Sequence, residues 1–377
     1  MLTRLYADNY RCLVNFEFRP QKINLFVGDN GSGKTSVFDV LRGIQDMVTL
    51  GRNVHEAFPA SSVTRWETRR VQRFELDLEG GAGVYKYTLE VDHEGHRGTA
   101  SIRTEEVHFE GQPLYASGVG PDGSFVQLYR DDASPGARFA FRPRQSFLAV
   151  LESRPENRKL TWFKQFLSDI WLLKLNPGSM KAATEQEEGW LSRDGSNFAS
   201  WYRQLALERP EVVDSIKDEL KEIIDGFQAI RFIGAGGEAR ELRVMCARGS
   251  GDSRKTYELG LEELSEGQRI LLVLYAVLHA ARGSARVLCF DEPDNFVALR
   301  EIQPWLIKLG DAIEDGDGQA LLISHHPEVI DYLAADSAFL FERPRGELVR
   351  VRPLEVPREE GLKASELLAR GWVDEQA

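Results

Sequence analysis

Gly28, Gly33, Lys34 and Thr35 follow the spacing G-x-x-x-x-G-K-T. The motif sits between the apolar run Lys22 to Val27 and Ser36 to Ile44, where Val37, Val40, Leu41 and Ile44 recur at helical spacing. Strand, glycine-rich turn and helix in immediate succession constrain this chain more than any other segment. Such a turn lets the backbone N–H groups of Asn30, Gly31, Ser32 and Gly33 converge on an anion, aided by the positive end of the following helix. Lys34 is then placed to reach the β and γ phosphates of a nucleotide, and Thr35 to offer a hydroxyl to Mg²⁺, with Ser36 beside it in the first helical turn.

With 377 residues, the chain exceeds one ordinary small core and suits a two-lobed or two-domain protein. Its 42% hydrophobic and 28% charged residues exclude disorder as a whole-chain description. Lys and Arg number 47 against 59 Asp and Glu, a net charge of −12, which disfavours nonspecific coating of nucleic acid or anionic membrane. Arg69, Arg70 and Arg73, and Arg142 with Arg144, are local clusters that could face DNA or be solvated faces paired with nearby acids. Cys12, Cys246 and Cys289 are too widely spaced for a disulfide framework or a zinc site, so a reducing cytoplasm is the expected location. The N-terminus lacks an apolar signal core, and the apolar run Ile270 to Ala281 is too short to span a bilayer, so no membrane partner is expected.

From Phe74 to Phe141, short β-prone runs alternate with Gly, Asp and Pro, which predicts an antiparallel meander. Helical spacing follows over Leu160 to Trp171, Asn197 to Leu207 and Val212 to Ile224. The final third alternates strand and helix from Val287 to Phe341, as parallel strands covered by helices do. These patterns divide the chain into an N-terminal lobe over residues 1–150, a helical lobe over 151–228 and a C-terminal lobe over 229–377.

Three further motifs carry chemistry. The strand-like Val287 to Phe290 ends in Asp291-Glu292, a metal-side carboxylate followed by a candidate general base for an attacking water. Leu264-Ser265-Glu266-Gly267-Gln268 begins an apolar helix with Ser265 as N-cap, a second anion-binding helix start that one nucleotide does not need from the same subunit. The run Ala320 to Ile323 leads into Ser324-His325-His326-Pro327, where His325 can hydrogen-bond a terminal phosphate and Ser324 can alternatively cap a helix.

The order phosphate loop, LSEGQ, acidic strand and Ser-His resembles the ATP-binding cassette ATPases. Asn9-Tyr10-Arg11 ahead of the phosphate loop, with an uninterrupted LSEGQ, looks like their RecF, SMC and OLD branch. The resemblance implies an α/β fold: a P-loop ATPase head of mixed sheet and covering helices, with an antiparallel β subdomain and an inserted helical lobe. It implies ATP and Mg²⁺ as cofactors, Lys34, Glu292 and His325 as catalytic residues, and Arg11 near the nucleotide. Gln145 would be a glutamine touching the metal, with Gln72 a less favoured competitor. Ser265, Glu266, Gly267 and Gln268 would cap the γ-phosphate held by a partner copy, in a homodimer or higher even oligomer enclosing two ATP.

The interval from Thr35 to Leu264 lacks sustained heptads, so no long coiled coil is expected. The chain after His325 is too short for a catalytic nuclease domain, so any nuclease would be a separate effector protein. Ala298 stands where the family usually presents Asp or His, which implies altered communication between nucleotides and slow hydrolysis. A stand-alone ATPase of this kind resembles the sensor ATPases of bacterial anti-phage systems. The alternative is a RecF-like repair ATPase that clamps duplex DNA.

Overall fold

The computed structural model describes residues 1–80, 83–93, 100–121, 123–249, 253–282, 287–316, 318–355 and 363–371. The chain opens with β1 (Leu2–Asp8), β2 (Phe16–Phe18) and β3 (Ile23–Val27), then turns into α1 (Lys34–Leu50). After the short α2 (Val54–Ala57) come β4 (Val71–Gly80), β5 (Gly83–Asp92), β6 (Ser101–Phe109), β7 (Gln112–Gly120), β8 (Gly123–Tyr129) and β9 (Pro135–Ala140). Next are α3 (Arg158–Ser168), β10 (Ile170–Leu173), β11 (Ala183–Thr184), α4 (Phe198–Glu208) and α5 (Pro210–Ile223). Three strands follow, β12 (Phe227–Gly234), β13 (Arg240–Arg248) and β14 (Lys255–Gly260), and then α6 (Glu266–Ala281). The remainder is β15 (Val287–Asp291), α7 (Leu299–Glu314), β16 (Gln319–Ile323), α8 (Pro327–Ser337), β17 (Ala338–Glu342), β18 (Arg350–Pro353) and α9 (Ala364–Ala369).

The central sheet has the order β10-β15-β16-β3-β17-β18, parallel except for the final β17–β18 pair. Every residue of β15 and β16 is buried, because both faces of the sheet are covered. Side chains alternate between two cores with the period of two that a strand imposes. Ala320 and Leu322 of β16 join the core of α4 to α8, whereas Leu321 and Ile323 join the core of α1 and the antiparallel sheet. Helix α6 is buried along nearly its whole length, Ile270 through Ala280, because it meets α4, α5 and α7 at once.

The meander is an eight-stranded antiparallel sheet, β2-β1-β4-β5-β6-β7-β8-β9, whose apolar face covers α1 and α3. It includes β7, which the sequence pattern did not mark. Residues 151–228 do not form a separate helical lobe. Helix α3 joins the core of the antiparallel sheet, with Trp162 stacked on Tyr85 at 4.6 Å, while α4 and α5 join the other core. Nor does the helix continue to Trp171: it stops at Ser168, and Ile170–Leu173 becomes the edge strand beside β15. A four-residue apolar run fits either period, and only its partner decides. Among the described residues α1, with 17, is the longest helix, so they contain no long coiled coil. No helix of the described residues is long and apolar enough to cross a membrane.

Glu105 lies in the core of the antiparallel sheet, 0% exposed, and accepts hydrogen bonds from Tyr87 Oη at 3.0 Å and Tyr115 Oη at 2.9 Å. Burial pushes its carboxyl up, against bonds from Ser146, Tyr115, Tyr87 and Ser117 that pull it down. The folded state therefore holds the proton more tightly than the unfolded chain. This contribution to stability is complete below the ordinary glutamate value and is lost as pH rises through the raised one. Replacing Glu105 by Leu strands two buried hydroxyls and is expected to cost about 2–4 kcal/mol in denaturant unfolding. Glu105→Gln should cost less and flatten the decline of stability with rising pH.

Candidate nucleotide-binding site

Parallel strands bring their carboxyl ends to one edge, and four segments of chemical interest meet there. Strand β3 ends at Val27 before Gly28, β15 at Asp291, β16 at Ile323 before Ser324-His325, and β10 at Leu173 before Lys174. In the registers Leu173 lies opposite Phe290, Asp291 opposite Ile323, and Ile323 opposite Phe26. Gly28 allows the first turn: its φ is 133°, and a Cβ there would lie 2.2 Å from the carbonyl oxygen of Phe341 on β17.

A cavity of about 470 Å³ opens over this edge, lined by Asn30, Gly31, Gly33, Lys34, Thr35 and Ser36 from the loop and α1, with Arg11, Glu292 and His325. These nine residues, all singled out from the sequence, are brought together. Ser32 lies beneath them, its Oγ 3.4 Å from Lys34 Nζ. The Lys34 ammonium folds back into its own loop, donating to the carbonyls of Gly28 at 2.6 Å and Asp29 at 2.9 Å. Burial lowers its pKa, opposed by the charges of Asp29, Glu292 and Asp291.

Asp291 is 3% exposed and receives Lys174 Nζ at 3.0 Å and Arg193 Nη2 at 3.6 Å. Two cations on one buried carboxylate mark a position built for positive charge. Thr35 lines the cavity, and a carboxylate and a hydroxyl are hard oxygen donors of the kind that could hold Mg²⁺. Glu292 adopts φ 55°, a left-handed conformation uncommon for a residue with a side chain, which turns it out of the strand toward the cavity. Its backbone N–H donates to Ile323 O at 2.8 Å, and Asn295 Nδ2 donates to its carboxylate at 2.7 Å.

The two histidines divide their work. His326 caps α8, with Nδ1 accepting from the Glu328 N–H at 3.2 Å and its own N–H donating to Ser324 Oγ at 3.0 Å. His325 is exposed and lines the cavity. Arg11 pairs with Asp39 of α1 at 2.5 Å from the cavity rim.

Ser265, Glu266, Gly267 and Gln268 are not among the residues lining this cavity. Ser265 Oγ accepts from the Gln268 N–H at 3.2 Å, and the Gln268 side chain accepts from the Ser265 N–H at 3.0 Å, a complete capping box. Ser265 and Glu266 are exposed. Gly267 is buried for a reason of packing: a Cβ there would lie 2.6 Å from the carbonyl oxygen of Phe296, in the loop after β15.

Gln145 is elsewhere. Its side-chain amide donates to the carbonyl of Gly51, the C-cap of α1, at 3.0 Å. A 17-residue helix places that end about 25 Å from Lys34. Chain order put Gln145 after the meander but did not show at which end of α1 the chain returns. Gln72 is buried on β4, where it donates to Asn9 O and Ser62 Oγ beneath the cavity wall. The DNA-facing reading also weakens at Arg69, which pairs with Asp8 and Glu67, and at Arg73, which pairs with Glu75 and Glu90.

Sequence reasoning missed several residues at this site. Ser61, Val63, Arg65, Trp66 and Arg343 also line the cavity, and the Arg343 guanidinium lies 4.9 Å from the centre of the ring of Trp66, a residue 48% exposed. An exposed tryptophan between arginines was the available signal. Lys174 and Arg193 carried none.

A family profile described as "AAA domain, putative AbiEii toxin, Type IV TA system" matches residues 23–331. No curated protein matches the chain. Among solved structures, an SMC head bound to the C-winged helix domain of ScpA superposes with TM-score 0.55 at 14% identity, covering 94% of this chain and 98% of the other. An SMC head with an extended coiled coil, bound to the C-terminal domain of ScpA derived from Pyrococcus furiosus, gives 0.50 at 10% identity, covering 94% and 96%. The SMC head domain from Thermotoga maritima gives 0.49 at 14%, covering 94% and 99%. The fold is that of a P-loop ATPase head, as in the SMC head domains, and the chain belongs to the AAA_21 family of AAA-type ATPases.

Proposed function

We propose that this protein binds and hydrolyses ATP at the cavity over the sheet edge, and that the Ser265–Gln268 turn of a second copy completes the site. The observation that carries this reading is the separation within one chain: the exposed start of α6, where Ser265 caps the Gln268 N–H, stands outside the cavity that holds Lys34. Its first-turn N–H groups suit an anion presented from another molecule. Two such contacts close a head-to-tail dimer around two ATP, and a higher even oligomer can repeat it.

In this reading Lys34 exchanges the Gly28 and Asp29 carbonyls for phosphate oxygens, gaining a stronger charge-assisted bond. Thr35 and Asp291 would hold Mg²⁺, which when bound neutralises charge on the phosphate oxygens. Glu292 takes the proton of the attacking water, and Asn295 fixes the orientation of its carboxylate. His325 donates to the terminal phosphate, while Arg11 adds positive charge at the rim. Trp66 and Arg343 form the wall suited to a nucleobase face.

The setting we propose is a cytoplasmic regulatory ATPase of an anti-phage system that switches a separate effector, such as a nuclease. The family description, which names an AbiEii toxin and a type IV TA system, supports a defence-related role. SMC heads bound to ScpA domains are a precedent for this fold carrying a protein partner. The net charge of −12 and the paired Arg69 and Arg73 favour a protein partner over the clamping of duplex DNA.

Lys34→Ala should weaken ATP binding about 100-fold in equilibrium titration. Glu292→Gln should leave binding intact, lower turnover about 10²- to 10⁴-fold, and elute with ATP at twice the monomer mass; a monomer at saturating ATP would sink the two-copy site. Trp66→Ala should cost about 1–3 kcal/mol in ATP affinity and leave inorganic triphosphate binding unchanged.

A further inference from the structure

The Asp291 carboxylate is enclosed by the fold, yet it does not stand alone. Its side chain is 2% exposed, and a carboxylate so enclosed is strongly destabilising unless a counter-charge neutralises it. Lys174 is the first residue after β10, and the parallel register that sets Leu173 opposite Phe290 brings it beside Asp291, Nζ to Oδ2 at 3.0 Å. Arg193 reaches the same oxygen at 3.6 Å while also lying 3.4 Å from Asp39 Oδ1. The two cations are joined through the backbone: the Lys174 N–H donates to Arg193 O at 2.8 Å, and the Asn176 N–H donates to Asp194 O at 3.0 Å.

We propose that Lys174 is a resident counter-ion for Asp291, holding the carboxylate in the metal-free protein and leaving it when a divalent cation binds, so that Lys174 sets the metal affinity of the site. This inference rests on the nucleotide-site reading above. The two cations differ in the way this exchange requires. Arg193 is 28% exposed and anchored through its second guanidinium nitrogen by Asp39, whereas Lys174 is 50% exposed on a flexible four-carbon stem and, among the described residues, has Asp291 as its one carboxylate partner. A divalent cation at Asp291 sets like charges within a few ångströms of one another. The mobile one departs into solvent, and the anchored one stays. The exchange also lies on the path to α6, since the segment after Lys174 reaches Pro177, whose carbonyl accepts from Arg269 Nη1 at 2.7 Å.

The test uses the full chain with Mn²⁺ as a spectroscopic substitute for Mg²⁺ and a non-hydrolysable ATP analogue. Mn²⁺ binding is followed by electron paramagnetic resonance in wild type, Lys174→Gln and Lys174→Arg. Removing the resident charge should tighten Mn²⁺ about tenfold in Lys174→Gln, whereas Lys174→Arg, which keeps the charge, should stay near wild type. Without metal, Lys174→Gln should melt at a lower temperature than wild type, and saturating Mn²⁺ with the analogue should erase the difference. A Lys174→Gln protein that folds only when metal and analogue are supplied would support the exchange by the same logic. Equal Mn²⁺ affinity in wild type and Lys174→Gln, with both binding the analogue, would overturn the counter-ion role and leave the nucleotide site standing. A wild type that binds neither analogue nor Mn²⁺ would instead overturn the site itself.

Discussion

The central sheet is buried on both faces, and that single constraint arranges everything else. Strands β15 and β16 have no exposed residue, so polar chemistry has no place along them and is confined to their ends. Because the strands run parallel, all their carboxyl ends lie on one side. Gly28, Lys174, Asp291 and Ser324 are therefore neighbours although they are far apart in the chain. The α1 helix starts at this edge and directs its N-terminus over it, which adds positive potential where the backbone N–H groups converge.

Charge balance at this edge explains where its cations sit. Lys34 is turned onto carbonyls of its own loop, Arg11 lies on Asp39, and Lys174 with Arg193 lies on Asp291. Each of these four cations has a partner, because an unpaired one in a partly dry site would be costly. These contacts are replaceable in different degrees. The carbonyl contacts of Lys34 are weaker than those a phosphate offers, whereas Arg193 is held at two points.

The same economy of local structure appears at the start of α6. Ser265 and Gln268 satisfy each other in a capping box, and Gly267 is required by the close approach of Phe296. The motif accordingly has a folding role in its own chain whatever it presents to a second one. His326 likewise serves α8, leaving His325 directed to the cavity.

The sequence by itself determined the phosphate loop, the acidic strand end, the helix at Ser265 and the strand–helix alternation around them. Each of these is a local pattern whose physics acts over a few residues: glycine turns, apolar periodicity and helix caps. What lay beyond it was which distant segments share an edge. Ile170–Leu173 is too short to reveal its period, and only pairing with β15 makes it a strand and brings Lys174 to Asp291. Gln145 follows the meander as expected, yet it lies at the far end of α1 because the direction of the returning chain is set by packing against that helix. Trp66 and Arg343 are hundreds of residues apart and meet only because β17 lies beside β3 in the same sheet as the phosphate loop. Tertiary structure decided these placements, since contact between remote side chains is fixed by sheet register and core packing, and neither leaves a trace in the spacing of the sequence.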